Sequence, residues 1–188
     1  RARPAEHALI RVLGDDPGAN SSQNEQDNRH YAQLAYTPVL EPADPAEVYS
    51  FYKEAARLSQ QLRMPVILRP TTHACHAKQS VSFPAWQPPA QVDRTPRCGG
   101  RNGPYIPLPF SVPELKQRAL GRLEAVRRQA VARGLLRLVD NGNRRRGVIA
   151  WGLPFLSLLD ALGDVQPKPD ILKLGIVYPL DHGQIAAF

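Results

Sequence analysis

The apolar positions of this chain fall into two kinds of run. Short, largely apolar runs read as strands: Ala8 to Leu13, Val39-Leu40, Val66-Ile67-Leu68, Val148-Ile149-Ala150-Trp151 and Ile171 to Val177. Longer, spaced runs read as helices. Val48, Phe51, Tyr52, Ala55, Leu58 and Leu62 recur at helical spacing behind Asp44-Pro45-Ala46-Glu47. There Asp44 can accept bonds from the free amides, Pro45 suits the first helical position and Glu47 stands where a capping-box acid belongs. This helix ends near Met64-Pro65. Arg29 to Ala35 predicts a shorter helix that ends before Thr37-Pro38, because a residue preceding proline avoids the α region. Ser111, Pro113 and Glu114 open another, with Leu115, Ala119, Leu123, Val126 and Ala130 as its apolar stripe. Pro154 to Leu162 predicts one more, stopped at Gly163, and Tyr178-Pro179-Leu180 leads into a last helix before Phe188.

Strand, loop, helix, strand in that order implies parallel α/β units, so the fold class is α/β. No internal repeat is present. Arg11 does not suit a strand buried on both faces, which points either to an edge strand or to a site that has drifted. From Lys78 to Pro109 seven prolines and the pair Gly99-Gly100 break every period. That stretch predicts an extended linker over a surface.

The residues from Asp15 to Tyr31 form a dense polar run directly after the first strand. Such groups are costly to bury unless each finds a hydrogen-bond partner. A polar loop at the carboxyl end of a strand is also where open α/β sheets place ligands. An ordinary surface loop has the same composition for solvation reasons. Within the run, Glu25 is a candidate general base, with a solvated or capping carboxylate the simpler role. Asp27 and Arg29 can form an ion pair. Thr71 and Thr72 put hydroxyls at another strand's carboxyl end, facing a domain interface or a ligand. His73, Cys75 and His76 lie close together but match no zinc spacing, so no metal site is assigned. No catalytic residue is singled out.

Charge narrows the picture further. Of the 188 residues, 43% are hydrophobic and 22% charged, a globular composition. The net charge is +7, and residues 113–146 alone carry ten Lys and Arg against three Asp and Glu, which accounts for the whole excess. A uniformly basic nucleic-acid binder is disfavoured. The arginine face over 116–137 could meet RNA or an anionic cofactor, yet no aromatic platform is interleaved with it. A solvated face, or one docked to an acidic subunit, is the simpler reading. Two cysteines, Cys75 and Cys98, cannot build a disulfide framework and fit a reduced, cytoplasmic setting. No membrane span or signal peptide is read.

Several segments resemble a known family. Asp15-Asp16-Pro17, Ser21-Ser22-Gln23-Asn24-Glu25-Gln26-Asp27 and Arg29-His30-Tyr31 closely resemble the large subunit of indolepyruvate ferredoxin oxidoreductase. So do Leu40-Glu41-Pro42-Ala43-Asp44, Pro65-Val66-Ile67-Leu68-Arg69 and Thr71-Thr72. Leu172-Lys173-Leu174-Gly175 with Tyr178-Pro179-Leu180 looks like that family's transketolase-C-like domain, and Tyr105-Ile106-Pro107-Leu108-Pro109 resembles its intervening segment. The linker over 79–104 does not share the likeness. The resemblance implies a thiamine diphosphate enzyme with magnesium. It decarboxylates aryl 2-oxo acids such as indolepyruvate to acyl-CoA and passes electrons through iron–sulfur clusters elsewhere in the complex to ferredoxin.

The organisation it implies is a partial pyrimidine-type α/β domain over 1–78, a Pro-rich linker over 79–112, a basic helix and connector over 113–145, and the start of a transketolase-C-like domain over 146–188. Partners would be the remainder of the large subunit, a small subunit, ferredoxin and CoA, without membrane or nucleic acid. Ser21, Ser22, Gln23, Asn24, Glu25, Asp27 and Arg29 would face substrate and cofactor, with Thr71 and Thr72 secondary. Their amides and hydroxyls suit a keto-acid carboxylate and a developing enolate-like oxygen. The activating glutamate, a Gly-Asp-Gly diphosphate motif and a cysteine-rich cluster tail are not found in this sequence. The expectation is therefore one wall of an active site, inactive alone. The alternative expectation is a non-catalytic truncated paralogue acting as a binding or scaffold module.

Overall fold

The computed structural model describes residues 8–85 and 108–188, so most of the expected linker over 79–112 lies outside the described residues. The elements follow the order β1 (Ile10–Val12), α1 (Arg29–Ala35), β2 (Val39–Leu40), α2 (Pro45–Leu62), β3 (Val66–Leu68), α3 (Thr72–His76), α4 (Val112–Gln129), β4 (Leu136–Val139), β5 (Gly147–Trp151), α5 (Gly152–Leu162), β6 (Asp170–Leu174), β7 (Ile176–Tyr178) and α6 (His182–Ala187).

They build two mixed sheets. One has the order β1-β3-β2-β7, the other β4-β6-β5. In the first, β1, β3 and β2 run parallel and β7 is antiparallel to β2. In the second, β5 is parallel and β4 antiparallel to β6. Arg11 sits on β1, an edge strand, as its charge requires.

Alternation along the short strands decides which face each residue serves. Leu40, Val66 and Leu68 pack with Phe51, Ala55 and Leu58 of α2. Val39 and Ile67, one step out of phase, pack with Ala32 of α1 on the opposite face. α2 begins as its sequence dictates, with the Asp44 Oδ1 accepting from the Glu47 N–H at 2.8 Å.

The run Ile171 to Val177, expected as one strand, is two. β6 fills the centre of the second sheet with all five residues buried, and β7 joins the first sheet. The break is Gly175. Its N–H donates to the Leu135 carbonyl at 2.7 Å, and its carbonyl accepts from the Glu41 N–H at 2.9 Å. A Cβ there would stand 2.5 Å from Phe51 Cζ, so only glycine lets the chain pass between sheets beneath this ring. The apolar core is continuous across the crossing. Val126 and Ala130 of the α4 stripe, Leu135, Leu172 and Ile176 belong to one cluster with α2 and β3.

Candidate functional site

Three parallel strands each deliver a charged residue at the carboxyl end. β3 ends in Arg69, and its two neighbours end near Asp15 and in Glu41. All three side chains are buried, with Arg69 and Asp15 at 1% exposure and Glu41 at 2%. The Arg69 Nε donates to Asp15, and its Nη1 donates to Glu41 Oε2 at 2.7 Å. The Nη2 lies 3.7 Å from Asp27 Oδ1 and has no hydrogen bond among the described residues. One guanidinium thus ties the ends of three strands to the far end of the polar loop. A buried charge of this kind persists only when paired.

The two acids that open the loop organise it. Asp15 accepts from the backbone N–H and the side-chain amide of Asn28. Asp16 accepts from the N–H groups of Asn20, Ser21 and Ser22 at 3.0, 2.7 and 2.6 Å, and from the Thr72 hydroxyl at 2.7 Å. The Thr72 hydroxyl and the Ser22 amide hold the Asp16 carboxyl far below the usual range. Arg29 grips Asp27 through Nε at 2.8 Å and Nη2 at 2.7 Å, and this contact lowers the Asp27 pKa to about 2. Burial pushes Glu41 up, against the pull of Arg69.

The expected site residues therefore divide. Ser21, Ser22 and Thr72 are joined by hydrogen bonds to Asp16, while Asp27 and Arg29 form a separate ion pair beside Arg69. The amides of Ser21 and Ser22 are engaged by Asp16, so they point inward and are not free for a substrate oxygen. Gln23, Asn24 and Glu25 are exposed, and their side chains form the loop's outer surface. Thr71 is buried, and its hydroxyl has no hydrogen-bond partner among the described residues. His73, Cys75 and His76 lie on α3, and all three are exposed.

Asp15, Asp16, Glu41 and Arg69 were not singled out by sequence. The available signal was positional: Glu41 and Arg69 directly follow the apolar runs Val39-Leu40 and Val66-Ile67-Leu68, and Asp15-Asp16 stand just past the first strand, where a charge has to be satisfied inside the protein.

The second sheet closes one side of this cluster. Gly152, the first residue of α5, meets the Glu41 carboxylate, and its φ is +50°. The carboxylate thus lies against a helix N-terminus, where negative charge is favoured. The described residues do not fit a magnesium–diphosphate site. No three His, Cys, Asp or Glu side chains among them are grouped to hold a metal ion, and the acids nearest one another are taken up by Arg69. Among the described residues no helix is long and apolar enough to cross a membrane.

No family model matches the sequence. It is 34% identical over 185 residues to indolepyruvate oxidoreductase subunit IorA of Methanothermobacter marburgensis, covering 96% of this chain and 29% of that subunit. The IorA of Methanothermobacter thermautotrophicus is 35% identical with the same coverage, and that of Archaeoglobus fulgidus is 30% identical over 98% of this chain. The chain thus spans 29% of the length of the curated relatives it matches. Among solved structures, a 2-oxoglutarate:ferredoxin oxidoreductase from Magnetococcus marinus matches 96% of this chain and 39% of its own, with a TM-score of 0.63 and 14% identity, a likeness of fold. Over nearly all of its length, this chain is similar to one segment of indolepyruvate oxidoreductase subunit IorA.

Proposed function

We propose that the chain forms one wall of the reaction centre of an indolepyruvate-type 2-oxo acid:ferredoxin oxidoreductase, which oxidatively decarboxylates aryl 2-oxo acids to acyl-CoA. In this reading β1, β2 and β3 of the first sheet belong to a pyrimidine-type domain, and residues 146–188 begin a transketolase-C-like domain whose β7 pairs onto that sheet. The observation that carries it is the Asp15–Arg69–Glu41 set at the carboxyl ends of three adjacent parallel strands. Ligands of open α/β sheets bind outside those ends, and this set holds the polar loop there. The similarity to IorA sequences supports the choice of substrate class.

Thiamine diphosphate, when bound, supplies the carbanion chemistry of such a decarboxylation. The described residues are not arranged to hold it. Their part is to fix the loop: Asp16 sets the turn at Asn20 to Ser22, Arg69 sets the ends, and the side chains of Gln23, Asn24 and Glu25 face outward as the polar surface beside the reacting molecule. Alone, the chain is inactive. The remainder of the large subunit, a small subunit, ferredoxin and CoA complete the enzyme.

The test is a chimera. The matching segment of the Methanothermobacter marburgensis subunit is replaced by this chain, and indolepyruvate-dependent reduction of a viologen dye is measured. Activity that falls on Asp16→Asn supports the reading. A folded, assembled chimera that binds thiamine diphosphate but never turns over overturns it.

A further inference from the structure

Two buried polar atoms, the Arg69 Nη2 and the Thr71 Oγ1, have no hydrogen-bond partner among the described residues. They share one compartment. Thr71 is extended, with φ −81° and ψ 166°, so its side chain leaves the backbone on the same side as that of Arg69, two residues earlier. Asp15 bridges Thr71 in the register that β1 keeps with β3, and its carboxylate on that side accepts from the Arg69 Nε. The far end of the polar loop lies over them, with the Asn28 N–H donating to Asp15 and Asp27 standing 3.7 Å from the Nη2. The place is internal, not an open face awaiting a cover: Arg69 is 1% exposed and Thr71 6%.

We infer that Arg69, Thr71 and Asp27 together hold one buried water molecule. Leaving a buried donor and a buried hydroxyl unpaired is costly, and folded proteins settle such groups with ordered water. The gap between the Nη2 and Asp27 is too long for a hydrogen bond and suits one bridged by water. A water there accepts from the Nη2, shares a bond with the Thr71 hydroxyl and donates to Asp27, and about three partners is usual for a buried water. Charge selects this guest. Asp15, Asp27 and Glu41 outnumber Arg29 and Arg69 around the place, so a carboxylate or phosphate is repelled, and the Arg69 guanidinium turns away a metal cation. A small neutral molecule that both accepts and donates remains. Thr71 is then a positioning residue: it keeps the water that ties Asp27, at the far end of the loop, to the cation at the strand ends.

The sign of one substitution tests this. Valine has the shape of threonine without the hydroxyl. Where the hydroxyl holds a water, Thr71→Val breaks a satisfied unit and melts below wild type. Where the hydroxyl has no partner, the same change removes a cost, and Tm rises or stays. Thr71→Ser keeps the hydroxyl and is expected to keep the water. In the isotope-labelled full chain, magnetisation transfer from a long-lived water to the Asn28 or Thr71 amide is expected in wild type and in Thr71→Ser, and is expected to weaken in Thr71→Val. Amide exchange at Asn28 should run about fivefold faster in Thr71→Val, the loss of roughly one hydrogen bond. No such transfer in wild type, a Tm of Thr71→Val at or above that of wild type, or a crystal structure with an ion or a protein group in the water's place would each overturn the proposal. Where Thr71→Val does not fold, the transfer in wild type and Thr71→Ser decides alone. No turnover is read, so the result is independent of the reaction assigned above.

Discussion

A Cβ on Gly152 would stand 2.8 Å from the Oε1 of Glu41, so α5 can begin beside this buried carboxylate only because its first residue has no side chain. Two costs follow from adding one. The φ of +50° is strained for any L side chain, and the buried carboxylate, held by Arg69, cannot step aside. Gly152→Ala is expected to lower stability by about 1–3 kcal/mol. Gly121 offers the opposite case. It lies within α4 with nothing within 4 Å of an added Cβ, so Gly121→Ala is expected to raise stability by up to ~1 kcal/mol. Denaturant titration of both variants checks the pair, and equal, small effects would show that Glu41 does not abut α5.

Arg69 is the cation that pairs with both Asp15 and Glu41 among the described residues, so its removal leaves two buried carboxylates without a counter-charge. Arg69→Met is expected to cost about 3–5 kcal/mol, the range for breaking a buried pair from one side. Adding Asp15→Asn and Glu41→Gln to that variant should recover part of the loss, because neutral groups need no counter-charge. Chemical denaturation of the single and triple variants decides the matter. A triple variant less stable than Arg69→Met would mean the acids serve the fold without reference to Arg69.

Much of this fold was legible in the residues. The strand Val66–Leu68 is three β-forming apolar residues between proline and arginine, and the Asp44–Glu47 cap is a local hydrogen bond, so both are fixed at short range. Arg11 at an edge was legible for the same reason. β4 was not, because Arg137 and the exposed Leu138 blur its alternation inside a basic stretch. The division of Ile171–Val177 into two strands was hidden as well. A glycine in an apolar run does not announce that a phenylalanine from another helix lies over it. At the site, the polar loop stood out by composition. Its anchors did not, since the pairing of Asp15 with Arg69 spans 54 positions and exists only once β1 and β3 lie side by side.

The loop should also report on pH. Asp16 and Asp27 have folded-state pKa values below the ordinary carboxylate range, so they contribute stability above that range and lose it as pH falls. For Asp27 the loss runs from about pH 4 down to about 2. Glu41 acts in the opposite sense. Its raised pKa favours the neutral form, so acidification relieves a cost there. The melting temperature is expected to fall through the Asp window, with a shallower slope in Asp16→Asn. Near neutral pH the same variant should speed amide exchange at Asn20, Ser21 and Ser22, whose N–H groups it leaves with a weaker acceptor. Unchanged exchange at all three amides would contradict the assignment of Asp16 as organiser of the turn.

Lys173 provides an asymmetric test of how the two sheets are joined. It lies in the central strand β6, 5% exposed, with its ammonium paired to Glu47 of α2 and 4.5 Å above the Phe155 ring. Burial lowers its pKa, so the protonated amine is a cost that the pairing offsets. Removing the charge and removing its partner should then differ. Lys173→Met fills a similar volume with an apolar chain, and the freed Glu47 keeps the Ala43 N–H at 2.9 Å and access to water. Its effect is expected to be within ~1 kcal/mol of zero, or stabilising. Glu47→Gln leaves a buried ammonium facing a neutral amide and weakens the start of α2, so it is expected to cost about 1–3 kcal/mol. Its penalty should shrink as pH rises toward the lowered pKa of Lys173, because the amine then sheds the charge that Glu47 no longer balances. Urea midpoints of both variants across neutral to alkaline pH measure this. A Lys173→Met penalty larger than that of Glu47→Gln would reverse the sign of the argument and make the ion pair a net source of stability.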